Sequence, residues 1–104
     1  MMIAMDDNIV GLFAESRAGH DKGKTFVIIS NDREFAEVAD GKSRTIERPK
    51  RKNRKHLRII QNELCGEIRS KLLNNKPVSN EEIKYVLKQR GRMMLTSANA
   101  ADAK

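Results

Sequence analysis

Positive charge is concentrated in one stretch of the chain, residues 42–58. Nine Lys or Arg and one acid, Glu47, give this stretch a net charge of +8, whereas the whole chain of 104 residues carries +7. The remaining residues therefore sum to −1. Ammonium and guanidinium groups neutralise phosphate oxygens, so this stretch favours a polyanionic partner, with nucleic acid first and an anionic membrane surface second.

A second candidate site is the loop of residues 16–24, SRAGHDKGK. Two glycines, Gly19 and Gly23, lie four residues apart in it, and glycine adopts tight-turn conformations at no steric cost. Cationic side chains and bare backbone N–H groups at the tip of such a loop suit phosphate oxygens. The side chains concerned are Arg17, His20, Lys22 and Lys24. An ordinary polar hairpin loop is the alternative, and spacing alone does not separate the two.

The sequence contains no constellation that predicts catalysis or metal binding. His20 and His56 have no Cys, His or acidic partner at metal-ligand spacing. Cys65 lies in an apolar helical pattern, which favours packing over nucleophilic chemistry, and a lone cysteine fits a reducing cytoplasm. No apolar run is long enough to span a membrane. We therefore expect no enzyme activity, cofactor, small-molecule substrate or membrane partner.

The elements that position the basic residues are predicted to be short strands. Apolar segments predict strands at residues 9–15 and 25–30. Residues 34–39 contain Ala and Glu and could form a helical turn. They are predicted as a strand because they are too short for a stable isolated helix and run directly into Asp40-Gly41. Asp40-Gly41 is a hairpin signal, so residues 44–47 are predicted as the return strand. One more short strand is predicted at residues 56–60.

Beyond residue 60 the hydrophobic period changes to that of a helix. Ile60, Leu64, Ile68 and Leu72 recur every four positions, which predicts a helix over residues 60–74. The segment Ser79-Asn80-Glu81-Glu82 is a capping box and predicts a second helix over residues 80–90, with Gly91 as its stop.

The predicted fold class is mainly β with α. Residues 9–60 are predicted to form a small barrel or curled sheet of about five strands, and residues 61–91 a two-helix extension. Residues 1–8 are predicted to be a flexible lead-in and residues 92–104 a disordered tail.

The glycine loop also resembles a known motif. Gly19-His20-Asp21-Lys22-Gly23-Lys24 between two apolar strands is similar to the KOW motif of ribosomal proteins and transcription elongation factors. The turn Val38-Ala39-Asp40-Gly41-Lys42 and the run PKRKNRKHL at residues 49–57 extend the resemblance to the e-type large-subunit ribosomal protein family fourteen. The resemblance implies an SH3-like barrel of about five strands and a structured RNA partner, with the ribosome as a candidate.

The leading hypothesis is therefore an RNA-binding module that contacts mainly the phosphate backbone. The predicted RNA-binding side chains are Arg17, His20, Lys22, Lys24, Lys42, Arg44, Arg48, Lys50, Arg51, Lys52, Arg54, Lys55, His56 and Arg58, with the backbone of Gly19 and Gly23. Aromatic residues are few. Phe13, Phe26 and Phe35 lie in strand patterns and Tyr85 on a helix, where packing is expected, so base stacking contributes little.

Two other hypotheses share parts of this pattern. A protein-interaction module of the transcription or translation machinery would use the barrel edge and the C-terminal helices. A DNA-binding protein would share the electrostatics but ranks last, because no predicted helix carries the cationic face of a major-groove reader.

Overall fold

Within the described residues, five strands form one antiparallel sheet. The computed structural model describes residues 8–60 and 66–102, with side chains described as far as Gly91. The strands are β1 (Phe13–Ser16), β2 (Thr25–Asn31), β3 (Phe35–Ala39), β4 (Lys50–Asn53) and β5 (Leu57–Ile60), in the order β4-β3-β2-β1-β5. A 3₁₀ turn, Arg54–His56, connects β4 to β5. Two helices follow, α1 (Gly66–Leu73) and α2 (Asn80–Asp102). The predicted class, mainly β with α, is confirmed.

β2 is buried along three consecutive residues because both faces of the sheet are covered. Phe26 and Ile28 face one apolar cluster, while Val27 faces a second cluster that Ile68 of α1 and Ile83 of α2 complete. Successive side chains of a strand point to opposite faces, so a strand covered on both sides is apolar throughout. The first cluster also contains Ile9, Ala14, Ala36, Val38 and Leu57. The predicted strand at residues 25–30 is confirmed.

The first strand begins later than predicted, at Phe13. The N–H of Leu12 donates to the carbonyl of Ile9 at 3.2 Å, so residues 9–12 form a turn rather than extended backbone. β1 then pairs with β2 on one side and with β5 on the other.

The prediction of a return strand at residues 44–47 is wrong. The carboxylate of Asp40 accepts hydrogen bonds from the N–H of Lys42 at 2.9 Å and of Arg44 at 2.8 Å. These bonds close a wide turn in place of a two-residue hairpin, and residues 44–47 are not a strand.

The return strand is β4, in the centre of the basic stretch. Val38 lies opposite Lys50 and Phe35 lies opposite Asn53 in the register of β3 and β4. The strand alternates in burial, since Arg51 is exposed and Lys52 is buried. The most basic part of the chain is therefore an ordered element of the sheet.

The helices lie close to where the sequence predicts them. The capping box is confirmed, because the Glu82 N–H donates to Ser79 Oγ at 3.1 Å and the Ser79 N–H donates to the Glu82 carboxylate at 3.0 Å. Gly91 does not end α2, which continues to Asp102. The predicted lead-in lies, apart from Asn8, outside the described residues, as does Cys65.

The N-terminus of α2 packs directly on the turn at Gly41. Gly41 has a φ of +79°, and a Cβ atom there would overlap the carbonyl oxygen of Asn80. Asn80 also bonds the same loop, accepting from the Ile46 N–H at 2.8 Å and donating to Glu47 at 3.0 Å. The helices are thereby anchored to the segment that leads into the basic strand.

Candidate nucleic-acid interface

The glycine loop is a closed hairpin between β1 and β2. Gly19 and Gly23 have φ angles of +86° and +90°, in the left-handed region that favours glycine. The Gly23 N–H donates to the Ser16 carbonyl at 2.8 Å, and the N–H groups of Lys22 and Lys24 also donate within the loop, at 3.2 and 2.9 Å. These three amides are used internally, so any phosphate contact at this part of the loop comes from side chains.

Asp21 connects the glycine loop to the basic strand. Its Oδ1 accepts from Ser16 Oγ at 2.8 Å and from Lys52 Nζ at 3.0 Å. Its Oδ2 lies 3.7 Å from Lys50 Nζ. Lys52 Nζ donates as well to the carbonyl of Ala18 at 3.0 Å. Two of the predicted RNA-binding lysines are therefore ion-paired with the loop itself.

The electrostatics of Asp21 follow from these contacts. Burial of the carboxyl group would raise its pKa, because desolvation disfavours the charged form. The hydrogen bonds from Lys52 and Ser16, with the charges of Lys52 and Lys50, outweigh burial and lower the pKa of Asp21 to about 2. Asp21 is thus ionised under all physiological conditions and holds both lysines in place.

Asp40 makes a second connection at the same end of the sheet. Its carboxylate is buried and pairs with Lys24 of the glycine loop. Burial would raise the pKa of Asp40, but the bond from Lys24 and the N–H groups of Arg44 and Lys42 lower it. The glycine loop, the Asp40-Gly41 turn and the start of β4 therefore form one bonded unit.

No family model matches the sequence, and no curated protein is significantly similar to it.

The predicted RNA-binding residues divide into two groups. In the first group the cation bonds an acidic side chain or a backbone carbonyl. Arg58 pairs with Glu15 at 2.9 Å and Arg51 with Asp32 at 3.8 Å. Arg54 Nη1 donates to the Asp32 carbonyl at 2.8 Å. The members of this group are Lys24, Lys50, Arg51, Lys52, Arg54 and Arg58.

The second group is exposed and forms no salt bridge with any acid in the part of the chain that the structure describes. Its members are Arg17, His20, Lys22, Lys42, Arg44, Arg48, Lys55 and His56. They come from three segments: the glycine loop, the turn after Asp40 and the 3₁₀ turn. The Arg and Lys side chains of this group are exposed cations without an acidic partner among the described residues.

Two of these residues, Arg17 and Lys22, lie beside β1 and β5. The Arg17 N–H donates to the His56 carbonyl at 2.8 Å, which joins the glycine loop to the 3₁₀ turn. A shallow depression of about 350 Å³ is lined by Arg17, Lys22 and Arg58, together with Glu15, Ser16 and Gly23. We call this the β1–β5 depression.

Arg51 and Arg54 lie apart from the β1–β5 depression. They contact the β2–β3 turn, which is at the other end of β2 from the glycine loop. Arg51 packs over the Phe35 ring, with its guanidinium carbon 4.2 Å from the ring centre. The basic stretch is therefore divided between two ends of the sheet rather than forming one continuous line of charge.

The sequence interpretation missed the acids that organise the site. Asp21, Asp32 and Asp40 each bond a predicted RNA-binding cation, and Ser16 is a buried donor to Asp21. The sequence does contain one signal for these acids. Asp21 is an acid between two loop glycines in an otherwise basic region, which is a position where it can pair with neighbouring cations.

Two further features bear on the kind of site. Within residues 8–60 and 66–102, no group of His, Cys, Asp and Glu side chains is arranged to hold a metal ion. Neither of the helices in those ranges combines the length and the apolar character needed to cross a bilayer.

Proposed function

We propose that the protein binds structured RNA through its phosphate backbone, using the exposed cations of the glycine loop, the turn after Asp40 and the 3₁₀ turn. The observation that carries the proposal is the division of the cations. Acids pair with Lys50, Arg51 and Lys52 of β4. Arg17, Lys22 and Lys55 are exposed and form no salt bridge with an acid among the described residues. Like charges held close together repel, and a polyanion relieves that repulsion while releasing its counterions.

The proposal includes an SH3-like barrel of the KOW type. Its support is the antiparallel order β4-β3-β2-β1-β5, in which β1 pairs with both β2 and β5, and the 3₁₀ turn before β5. The resemblance of Gly19–Lys24 and of residues 49–57 to KOW-domain proteins agrees with this assignment. By the same resemblance, ribosomal RNA in the cytoplasm is the candidate target.

The placement of the aromatic rings favours structured RNA over single strands. Phe13 and Phe26 are buried, and Phe35 is half-buried beneath Arg51. Proteins that bind single strands stack bases on exposed rings, whereas proteins that bind structured RNA rely on phosphate and shape. The exposed cations of the glycine loop, the turn after Asp40 and the 3₁₀ turn supply positive charge, and none of these three Phe rings is exposed beside them for base stacking.

The test is a salt titration of binding to double-stranded RNA, single-stranded RNA and duplex DNA of equal length. If about five to eight phosphates are contacted, log K should fall against log salt with a slope of roughly −4 to −7. We expect the tightest binding to structured RNA.

A matched pair of variants separates a specific surface from general basicity. Arg17, Lys22 and Lys55 are replaced by Gln in one variant, and Arg33, Lys76 and Lys88, also exposed, in the other. Both variants lose the same charge. The first should lose most of its affinity and the second little. Equal losses, or equal affinity for all three nucleic acids, would contradict the proposal.

A further inference from the structure

A polar pocket of about 190 Å³ opens at the end of the sheet where β2 leads into β3. Its lining includes Ser30, Glu37 and Arg51, one residue from each of the neighbouring strands β2, β3 and β4. Glu37 is on the same face of the sheet as Ala39, which packs with the helices. None of the described helical residues lines the pocket, so this end of the face is open.

A β-bulge places Ser30 at this pocket. Ile28 lies opposite Val38, whereas Ser30 lies opposite Glu37, so one extra residue of β2 shifts the register here. Ser30 Oγ donates to Glu37 Oε1 at 2.8 Å. Bulges re-aim side chains and are frequent beside functional sites, because the extra residue interrupts the regular alternation of a strand. The hydroxyl and the carboxylate are thereby held together at the pocket.

Glu37 is a half-buried carboxylate without a cationic partner among the described residues. The register places Arg51 directly opposite Glu37, yet the two form no salt bridge. The Arg51 guanidinium instead packs over Phe35, with its carbon 4.2 Å from the ring centre, and pairs with Asp32 at 3.8 Å. Glu37 is therefore an acceptor for hydrogen-bond donors that enter the pocket.

Arg51 provides a flat surface next to that acceptor. The Phe35 ring covers one face of the guanidinium group, and the side chain is still 57% exposed, so the other face is open. Nucleobases stack on guanidinium planes as they do on aromatic rings.

The charge around the pocket is balanced, unlike that of the glycine loop. The β2–β3 turn and the residues that contact it carry three acids and three arginines, namely Asp32, Glu34, Glu37, Arg33, Arg51 and Arg54. A neutral ring with hydrogen-bond donors fits such a site better than a phosphate group does, because the acids repel an anion.

We propose that this pocket binds one unstacked guanine base. The base stacks on Arg51, and its N1–H and N2 amino groups donate to the Glu37 carboxylate. Guanine is the RNA base whose Watson–Crick edge presents two adjacent donors, which match the two oxygens of a carboxylate. The volume suits one base, since a cavity of about 150 Å³ already holds a benzene ring.

Two sources could supply the base: an unpaired guanosine of an RNA, which rests on the proposed function, and a free guanine nucleotide. The first test compares guanosine, inosine, adenosine and cytidine monophosphates, which carry the same phosphate group. Binding to the full chain is followed by proton–nitrogen NMR signals of Ser30, Glu37 and Arg51. The guanosine nucleotide should shift these signals and bind about tenfold tighter than the inosine nucleotide, which lacks the N2 amino group. Equal affinity for the four nucleotides, or no shift at these residues, would overturn the proposal.

A matched pair of variants tests the role of Glu37. Glu37→Gln keeps the shape of the side chain and removes one acceptor oxygen, so it should abolish the preference for guanine. Glu34→Gln is the control, because Glu34 is an exposed acid in the same turn that does not line the pocket. A guanine preference that survives in Glu37→Gln, or disappears in Glu34→Gln, would contradict the assignment.

RNA hairpins then identify the source of the base. One hairpin carries a single bulged guanosine, the second a bulged uridine, and the third is fully paired. The first should bind about tenfold tighter than the other two, and Glu37→Gln should remove the difference. Equal affinity for all three, with the nucleotide still bound, would assign the pocket to a free guanine nucleotide. Failure of every hairpin to bind would contradict the proposed RNA function, and the nucleotide comparison would then decide the pocket by itself.

Discussion

Lys52 and Asp21 are joined by a hydrogen bond of 3.0 Å between Nζ and Oδ1, although they lie 31 residues apart in the chain. The Lys52 side chain is only 7% exposed. A lysine in the centre of the most basic segment is therefore an internal residue that ties β4 to the glycine loop. One of the cations that the sequence predicts as RNA-binding is thus withdrawn from solvent by its ion pair.

Replacing Asp21 by Asn should destabilise the protein by about 3 kcal/mol, because it leaves the ammonium group of Lys52 buried without its counter-charge. Urea unfolding at pH 7 measures the change. Asp32→Asn is the matched control, since Asp32 is exposed and an amide oxygen can still accept from the N–H groups of Glu34 and Phe35. Equal stability of the two variants would show that the Asp21 pair contributes nothing.

Stability should also depend on pH through Asp21. Its pKa of about 2 in the folded chain lies below the usual value of about 3.9, so folding favours the ionised form. The contribution of about 2 kcal/mol is complete above pH 4 and is lost as the pH falls from about 4 to 2. Free energies of unfolding at several pH values should decline less steeply in Asp21→Asn than in the wild type. Parallel curves would contradict this assignment.

Three glycine-to-alanine substitutions should rank in a definite order. Gly41→Ala should lower the free energy of unfolding by about 3 kcal/mol or more, because Gly41 has a positive φ and an added Cβ would overlap Asn80. Gly23 has a positive φ but open space around it, so Gly23→Ala should lower the free energy of unfolding by about 1 kcal/mol. Gly91→Ala, inside α2, should stabilise by about 0.5–1 kcal/mol. Thermal unfolding of the three variants tests the order, and a mild effect at Gly41 would contradict the described helix contact.

Lys22 and Lys52 should respond oppositely to loss of charge. Lys22→Gln should leave stability within about 0.5 kcal/mol of wild type and reduce the salt slope of RNA binding by about 0.7–0.9. Lys52→Met should lower stability, since Asp21 loses its main partner, yet leave the slope unchanged at temperatures where the variant is folded. A reduced slope in Lys52→Met would show that this lysine contacts RNA after all.

The capping box offers a test of the helical extension. Ser79→Ala should lower the free energy of unfolding by about 1 kcal/mol, because the Glu82 N–H loses its acceptor. Ser43→Ala, in the exposed turn after Asp40, is the control and should change stability by less than about 0.5 kcal/mol. Chemical denaturation measures both. Equal effects would argue against the cap.

The parts of the fold that follow from local pattern were predictable. Residues 25–30 are continuously apolar, and the Ser79–Glu82 cap is a signal contained in four residues, so β2 and the start of α2 were found. The position of β4 was not, because Lys50–Asn53 has the composition of a solvated run. Its strand conformation comes from pairing with β3 and from the Lys52–Asp21 bond, both of which join distant parts of the chain.

The candidate site was predictable in location but not in composition. The glycine loop and the basic stretch do meet, through Lys50–Asp21 and Lys52–Asp21. Counting charges along the sequence could not show which cations those acids neutralise, since burial and pairing are properties of the folded chain. For the same reason the sequence did not predict that Tyr85 is exposed, because its exposure depends on how α1 and α2 are placed.

β4 is also the last strand in the order of the sheet, with β3 on one side and no further strand in that order on the other. An open sheet edge is a template on which another chain can add a strand, and it is a common starting point for aggregation. Lysine and arginine on such an edge oppose that addition, because a second copy would bring like charges together. Replacing Lys50 and Arg51 with apolar residues should therefore lower the solubility of the folded protein, whatever it does to ligand binding.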